Sequence, residues 1–280
     1  MSEPVNLTDT PARAALTVQV AERLAADLKS GRLAETIAAI AEEAAEIIRG
    51  YWRSGLVAET KADASPVTEA DRAAERLILE RLEQQWPGVQ TIAEEQACDQ
   101  GLPENGEGWF WLIDPLDGTR GFVAGREAFT VNIALVRDRQ VVAGAVVAPA
   151  TEISWRSGPE AGGAFRRQGG GAWQPIHVRE RPSDPVALVS HSLSDEEAER
   201  LIRRHGCTQW QALDSSLKLC LIAEGRFDAY PRTGPTSEWD IAAGQGVLEA
   251  AGGRIITEDG HALLYGKPGF ANGAFVALGG

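Results

Sequence analysis

Features of several specialised protein classes are missing from this sequence of 280 residues. Its three cysteines, Cys98, Cys207 and Cys220, include no CxxC pair, which argues against a disulfide framework and against a thiolate zinc site. No apolar run reaches the roughly 18 residues that a membrane span needs. Glu3 and Asp9 lie where a signal peptide would carry positive charge. We therefore expect a cytoplasmic protein without a transmembrane segment, in contact with a membrane at most peripherally.

Basic residues are scarce relative to acidic ones. The chain has 27 Lys and Arg residues against 40 Asp and Glu residues, so the formal net charge is −13. It therefore lacks the basic surface that displaces counterions from nucleic acid, and we expect no nucleic-acid partner. Converging carboxylates would instead suit hard divalent cations. Hydrophobic residues make up 44% and charged residues 24%, which is typical of a globular protein and excludes overall disorder.

The order of predicted elements changes near residue 180. Before it, helical periodicity covers residues 34–52 and a second helix follows Thr68. Apolar or alternating strands come next, at residues 89–93, 109–113, 129–136 and 141–148. After it, strands and helices alternate, with one helix expected over Ser215–Glu224. We predict an N-terminal extension, an α+β domain and an α/β domain, at residues 1–33, 34–180 and 181–280.

Carboxylates follow the strand predicted at residues 109–113. Asp114 and Asp117 belong to a Pro/Gly turn, Asp114-Pro-Leu-Asp-Gly-Thr119, which the end of the strand would project. Backbone carbonyls such as that of Leu116 can join them, and carboxylates with a carbonyl are ligands that Mg²⁺ prefers. Taken alone, these residues are more typical of an ordinary acidic turn.

Two further groups of acidic residues lie at the ends of predicted elements. Glu94-Glu95 ends the apolar run at residues 89–93, where such a pair is commonly only solvated. Asp240 begins an apolar helix, which it could equally cap. Each signal is weak alone. Carboxylates at the ends of several elements can converge in space, however, and two metal ions about 3.5–4 Å apart would need several of them.

Several of these stretches resemble the signatures of one enzyme family. Asp114–Thr119, followed by Phe122, and Trp239-Asp240 with Ala242–Gly244 resemble two signatures of the inositol monophosphatase superfamily, the lithium-sensitive, magnesium-dependent phosphatases. Within it, the chain is most similar to the 3′(2′),5′-bisphosphate nucleotidases of sulfur metabolism. That similarity is carried by Lys61–Asp71, Phe129–Leu135, Ser215–Lys218, Cys220 with Ala223–Gly225, Tyr230–Arg232 and Gly234–Thr236. The resemblance implies an α/β fold of the layered αβαβα sugar-phosphatase type.

The resemblance also implies roles for individual residues. Thr119 and Asp71 resemble the pair that orients the attacking water, and Glu94 would help to deprotonate that water. One set of residues resembles the family's ligands for two or three Mg²⁺ ions: Glu94, Asp114, Leu116 through its carbonyl, Asp117 and Asp240. A second set resembles substrate-binding residues: Asp117, Gly118, Thr119, Ser215, Lys218, Arg232 and Asp240.

The predicted helix start at Ser215 would place Lys218 one turn further on, so that both could meet one anion. Without the resemblance, Lys218 would be interpreted as a solvated helix lysine and Arg232 as a loop arginine. The chain departs from the family pattern at Gly121, where the nearest relatives commonly have an acidic residue. This departure puts any role of that position in specificity in doubt.

The resemblance implies hydrolysis of adenosine 3′,5′-bisphosphate to AMP and phosphate, and of 3′-phosphoadenosine 5′-phosphosulfate as well. Inositol monophosphate and fructose 1,6-bisphosphate are the alternative substrates. They rank lower because a small polyol phosphate has no second nucleotide phosphate for Lys218 and Arg232. A catalytically silent nucleotide- or metal-binding protein is a third hypothesis, against which the intact acidic set argues. The expected partner is a small molecule, and a homodimer is possible.

Overall fold

The computed structural model describes residues 10–54, 58–60, 66–160 and 162–280. Residues 1–9 of the predicted N-terminal extension and residues 61–65 of one family-like stretch lie outside these ranges. Over the described chain, no helix combines the length and the apolar character needed to cross a bilayer. Two larger sheets with helices between and around them make up the fold.

The first sheet has seven strands in the order β3-β4-β5-β6-β7-β8-β9. β3 and β4 are parallel and every later pair is antiparallel. The strands are β3 Gln90–Ala93, β4 Trp109–Asp117, β5 Thr130–Arg137, β6 Gln140–Ala148, β7 Ile153–Ser157, β8 Ala164–Gln168 and β9 Gln174–Ile176. A separate antiparallel pair joins β1 Ala58–Thr60 to β2 Pro66–Thr68. The strands predicted at residues 89–93, 129–136 and 141–148 are confirmed, and the last two pair as an antiparallel hairpin.

Successive side chains of a strand point to opposite faces, and apolar residues occupy both faces of this sheet, one of which is covered by three helices. Val131, Ile133 and Leu135 of β5 are buried in one core, whereas Ala134 and Val136 belong to the core on the opposite face. The covering helices are α1 Thr10–Ser30, α2 Arg32–Ser54 and α3 Glu69–Gln85, and the helices predicted over 34–52 and after Thr68 are α2 and α3. Two short helices, α4 Glu94–Gln100 and α5 Thr119–Val123, follow β3 and β4.

The segment predicted to be an extension packs onto the rest of the protein. Leu24 and Leu28 of α1 are buried in the same core as α2 and α3. Asp27 forms an ion pair with Arg32, and the indole nitrogen of Trp86 donates to Asp27 at 3.0 Å. These contacts join α1 to the end of α3.

The second sheet has five strands in the order β11-β10-β12-β16-β14. They are β10 Val186–Val189, β11 Gln209–Ala212, β12 Ala229–Arg232, β14 Arg254–Thr257 and β16 Phe275–Leu278. The helices of this half are α6 Asp195–Arg203, α7 Leu217–Ala223 and α8 Glu238–Ala250. A short pair, β13 Thr236–Ser237 with β15 Ala271–Asn272, and a 3₁₀ turn at Pro268–Phe270 complete it.

α7 and α8 lie between the two sheets, and α6 covers the outer face of the second. The order of layers is therefore αβαβα, as the resemblance implied. α8 approaches β6 closely because Gly144 has no side chain: a Cβ there would lie 2.3 Å from the carbonyl oxygen of Ala243. One core thus draws residues from both sides of residue 180, and the predicted domain boundary stays a prediction.

Candidate active site

β4 delivers two carboxylates through an irregular end. The predicted strand at residues 109–113 in fact continues to Asp117, and its pairing with β5 shifts register between Asp114 and Asp117. Pro115, which cannot donate to a ladder, lies in this bulge. The backbone amide of Leu116 donates to Asp114 Oδ1 at 3.0 Å. The expected turn is therefore a bulged strand that holds Asp114 in place.

The chain turns immediately after Asp117. Gly118 is in the left-handed region at φ 93°, and a Cβ there would lie 3.0 Å from the carbonyl oxygen of Ala128, so glycine is required. Thr119 begins α5, and its hydroxyl donates to the carbonyl oxygen of Leu116 at 2.9 Å. The only proton of the hydroxyl is engaged in this bond, so the oxygen can take part in a further hydrogen bond only as an acceptor.

Glu94 is placed by a buried residue that sequence reasoning missed. β3 lies parallel to β4, so its end brings Glu94 and the start of α4 to the same edge as Asp114. Glu75 of α3, 5% exposed, accepts the backbone amides of Glu95 and Gln96, each at 2.8 Å. Burial raises the pKa of Glu75 to about 7. Its only sequence signal is a carboxylate on the apolar side of α3.

Asp240 lies at the start of α8, where both of the predicted roles are compatible. Its Oδ2 accepts a hydrogen bond from the backbone amide of Ser237 at 2.9 Å in a capping box, so it does cap the helix.

Asp71, in the first turn of α3, is 1% exposed and faces Asp114 closely enough to raise the pKa of that carboxyl. For Thr68, the expected cap of α3, no side chain is described.

The converging carboxylates repel one another. Burial, followed by the charges of Glu94, Asp117 and Asp240, holds the pKa of Asp114 well above its usual range. Burial, followed by the charges of Asp117 and Glu94, does so for Asp240. In the described ranges, no three His, Cys, Asp or Glu side chains already converge on one point as metal ligands. A divalent cation would draw these oxygens together and relieve the repulsion, so the donor set suits Mg²⁺.

The opposite side of the site begins at a strained residue. Ser215 has φ 58°, so α7 starts at Leu217, and the helix predicted from Ser215 is wrong at that end. The backbone amide of Ser216 donates to Asp117 Oδ2, and its hydroxyl donates to Asn132 Oδ1 at 2.7 Å. These bonds cross from the second half of the chain to β4 and β5. Sequence reasoning missed Asn132 and Ser216 because neither belongs to an acidic or basic cluster.

Lys218 is buried rather than solvated. It is 4% exposed, and its Nζ donates to the carbonyl oxygens of Leu213 at 3.1 Å and Ser215 at 2.6 Å. The ammonium also lies 4.9 Å from the centre of the Tyr230 ring. Burial lowers the pKa of Lys218 to about 8. Lys218 therefore holds the strained segment before α7 as well as facing the site.

Arg232, at the end of β12, is anchored to the loop that follows it. Its Nε donates to the carbonyl oxygen of Gly234 at 3.2 Å, and Nη2 donates to that of Pro235 at 3.3 Å. These two bonds to backbone carbonyls orient the guanidinium.

A cavity of about 570 Å³ opens between these two sides. Asp71, Asp114 and Leu116 lie outside its lining, while every other predicted site residue lines it: Glu94, Asp117, Gly118, Thr119, Ser215, Lys218, Arg232 and Asp240. It is also lined by residues that sequence reasoning did not select as site residues, among them Arg120, Arg126, His191 and Asp214. Arg120 lies in α5, whereas Arg126, His191 and Asp214 lie outside helices and strands, where no periodic pattern marks a residue.

Comparison with known proteins agrees with this geometry. The sequence matches the family model described as "Inositol monophosphatase family" over residues 31–277. It is 40% identical over 208 residues to the 3′(2′),5′-bisphosphate nucleotidase CysQ of Salmonella typhimurium, covering 73% of this chain and 81% of that protein. The CysQ nucleotidase of Haemophilus influenzae is 30% identical over 245 residues, covering 86% and 90%.

Solved structures show the same fold. CysQ from Bacteroides thetaiotaomicron, a bacterial member of the inositol monophosphatase family, superposes with a TM-score of 0.73 at 29% identity, covering 89% of this chain and 97% of that one. The IMPase of Thermotoga maritima has a TM-score of 0.70 at 27% identity, covering 88% and 91%. Taken with the match over residues 31–277, these likenesses show that the chain belongs to the inositol monophosphatase family.

Proposed function

We propose that this protein is a magnesium-dependent phosphatase that hydrolyses the 3′-phosphate of adenosine 3′,5′-bisphosphate, giving AMP and phosphate. The observation that carries the proposal is one cavity with carboxylates at one side and two cations, the buried Lys218 and the partly exposed Arg232, at the other. Relatives that are 40% and 30% identical to this chain are named as 3′(2′),5′-bisphosphate nucleotidases. Activity on 3′-phosphoadenosine 5′-phosphosulfate, and so a place in sulfur metabolism, follows from the same arrangement.

The metal ligands are Glu94, Asp114, Asp117 and Asp240, with the carbonyl oxygen of Leu116. Phosphatases of this family are generally magnesium-dependent, and the all-oxygen donor set fits two or three such ions. When bound, Mg²⁺ lowers the pKa of water and stabilises the leaving oxygen of an in-line displacement. Inhibition by Li⁺ also fits the family.

Thr119 and Asp71 orient the attacking water. Because the Thr119 hydroxyl donates its hydrogen bond to the carbonyl oxygen of Leu116, its oxygen can accept a hydrogen bond from that water. Asp71 faces the same group of carboxylates from α3, and Glu94 receives the proton as the bond forms. Gly118 lets the backbone turn beside the phosphate without a side chain in the way.

The uncleaved phosphate lies between Lys218 and Arg232, with the Ser215 hydroxyl beside them. Each cation has part of its donors committed to backbone carbonyls, which holds the charged group in one orientation before the substrate arrives. A cytoplasmic location and a homodimer stay predictions.

Phosphate release tests this proposal. The purified protein with Mg²⁺ is offered adenosine 3′,5′-bisphosphate, inositol 1-phosphate and fructose 1,6-bisphosphate, and kcat/KM is measured for each. We expect the bisphosphate nucleotide to give the largest value, complete loss of activity after chelation, and recovery with Mg²⁺ but not with Ca²⁺. A larger kcat/KM for inositol 1-phosphate would contradict the proposed substrate, and full activity after exhaustive chelation would contradict the metal mechanism.

A further inference from the structure

The cavity wall contains a carboxylate that has no place among the proposed metal ligands. Asp214 lies between β11 and α7, next to Leu213, whose carbonyl accepts from Lys218. It lines the cavity beside Ser215 and Lys218. An anionic substrate would be repelled by a bare carboxylate at this position, because like charges that meet in a binding site cost several kcal/mol.

Arg126 forms an ion pair with this carboxylate. It belongs to the loop between α5 and β5, and its Nη2 lies 3.0 Å from Asp214 Oδ2. The Asp214 side chain is 19% exposed and that of Arg126 is 49% exposed, so the guanidinium lies on the solvent side of the pair. Arg126 also lines the cavity, on the side of α5.

Gly121 makes room for this pair. A Cβ at Gly121 would lie 3.3 Å from Arg126 Nε and 3.4 Å from Asp214 Oδ2, which is close even for a single methyl group. The backbone amide of Arg126 donates to the carbonyl oxygen of Gly121 at 2.9 Å, which fixes the loop over that residue. A long acidic side chain at position 121 would compete with Asp214 for the same guanidinium.

We propose that Arg126 is a specificity-determining residue that neutralises Asp214 in the cavity wall, so that a doubly phosphorylated substrate can bind there. The inference rests on the proposed function in that it takes the substrate to carry an uncleaved phosphate on the side of Lys218. Arg126 acts on binding and not on bond cleavage, and its effect therefore falls on KM.

Kinetics of three variants test this role, with adenosine 3′,5′-bisphosphate and adenosine 2′-monophosphate as substrates. Arg126→Ala should raise KM for the bisphosphate about tenfold, which corresponds to about 1.4 kcal/mol, and KM for the monophosphate by less than about threefold. kcat should change by less than about twofold. Adding Asp214→Asn to Arg126→Ala should return KM for the bisphosphate to within about threefold of the wild-type value, because the repelling charge is gone.

Arg81→Ala is the matched control, since Arg81 forms a 2.9 Å ion pair with Glu43 between α3 and α2, outside the cavity lining. Arg126→Gln, which keeps most of the side-chain length, replaces Arg126→Ala if the latter is poorly folded. A KM that stays high in the double variant would overturn the proposal, since Arg126 would then act by holding the loop. An unchanged KM in Arg126→Ala would overturn it as well.

Failure of the proposed function is a separate result. It would show as a wild-type protein that releases no phosphate from the bisphosphate nucleotide. The variant-to-wild-type ratios are then measured on fructose 1,6-bisphosphate, which also carries an uncleaved phosphate, and the Arg126→Ala ratio and its reversal by Asp214→Asn still decide whether Arg126 screens Asp214.

Discussion

On the side of the cavity built from β3, β4 and the start of α8, carboxylates approach one another closely enough to raise the pKa of Asp114 and Asp240. On the side built from α7 and β12, Lys218 and Arg232 donate to backbone carbonyls. The acidic side gathers like charges that an external cation must neutralise, whereas the cationic side is held in place by the protein itself. Under the proposed function we expect metal binding to control turnover and the preformed cationic side to control which substrate is bound.

The largest effect should come from the acidic side. Asp117→Asn removes one ligand charge and should lower kcat by at least about a hundredfold at saturating Mg²⁺, which is about 2.7 kcal/mol of barrier. The Asn oxygen can still accept the backbone amide of Ser216, so the fold should be kept and the metal-free protein should be no less stable. Steady-state phosphate release and thermal unfolding in a chelator measure the two quantities. Retention of more than about a tenth of the wild-type kcat would contradict the expectation that turnover depends on metal bound by the acidic side.

Glu75 gives the acidic side a pH dependence. Its pKa is raised from 4.5 to about 7 in the folded protein, so the stability that this group contributes is fully present below pH 4.5 and is lost as pH rises towards 7. The loss can reach about 3 kcal/mol, at 1.36 kcal/mol per pKa unit. The Glu75→Gln variant lacks this titration, so its free energy of unfolding should rise relative to that of the wild type between pH 4.5 and about 7.

Urea unfolding of both proteins in a chelator, at several pH values, measures the difference. Because Asp114 and Asp240 are present in both proteins, the difference curve isolates Glu75. Glu199→Gln, on the exposed surface of α6, is the control and should show a flat difference curve. A flat curve for Glu75→Gln would show that Glu75 holds α4 without a raised pKa.

On the cationic side, Arg232 and Lys218 should differ in which substrates are affected when each is replaced. Arg232→Ala should lower kcat/KM for adenosine 3′,5′-bisphosphate by about ten- to a hundredfold, the loss of one charge-assisted contact of about 1.5–3 kcal/mol, and should leave inositol 1-phosphate nearly unaffected. Lys218→Ala should lower both, because Lys218 also holds the segment whose Ser216 amide binds Asp117.

Measured kcat/KM values for both variants on both substrates check this. If Arg232→Ala lowers kcat/KM equally for both substrates, Arg232 supports the metal site or the folded structure instead of binding the uncleaved phosphate. No fall for either variant would make the inositol phosphate the better substrate hypothesis.

Much of the fold was predictable because its signals are local. Alternation along residues 129–136 and the helical stripe over 34–52 depend only on neighbouring side chains, and both predict elements that the structure contains. The irregular points were not predictable in the same way. The sequence predicted a turn at Pro115 and Asp117, but the structure shows that pairing with β5 continues past them as a bulge. The sequence predicted a helix start at Ser215, but hydrogen bonds with Asp117 and Lys218 hold that segment outside the helix.

The sequence by itself determined the chemistry at the ends of elements: carboxylates after β3 and β4 and at the start of α8, and the signatures of the inositol monophosphatase family. Tertiary structure alone decided which distant groups hold them. Glu75 reaches the amides of α4, Ser216 reaches Asp117, and Arg126 reaches Asp214 only because the sheets and α8 bring separate loops together. Local periodicity follows from the backbone geometry of a few residues, whereas these contacts depend on how layers far apart in sequence pack.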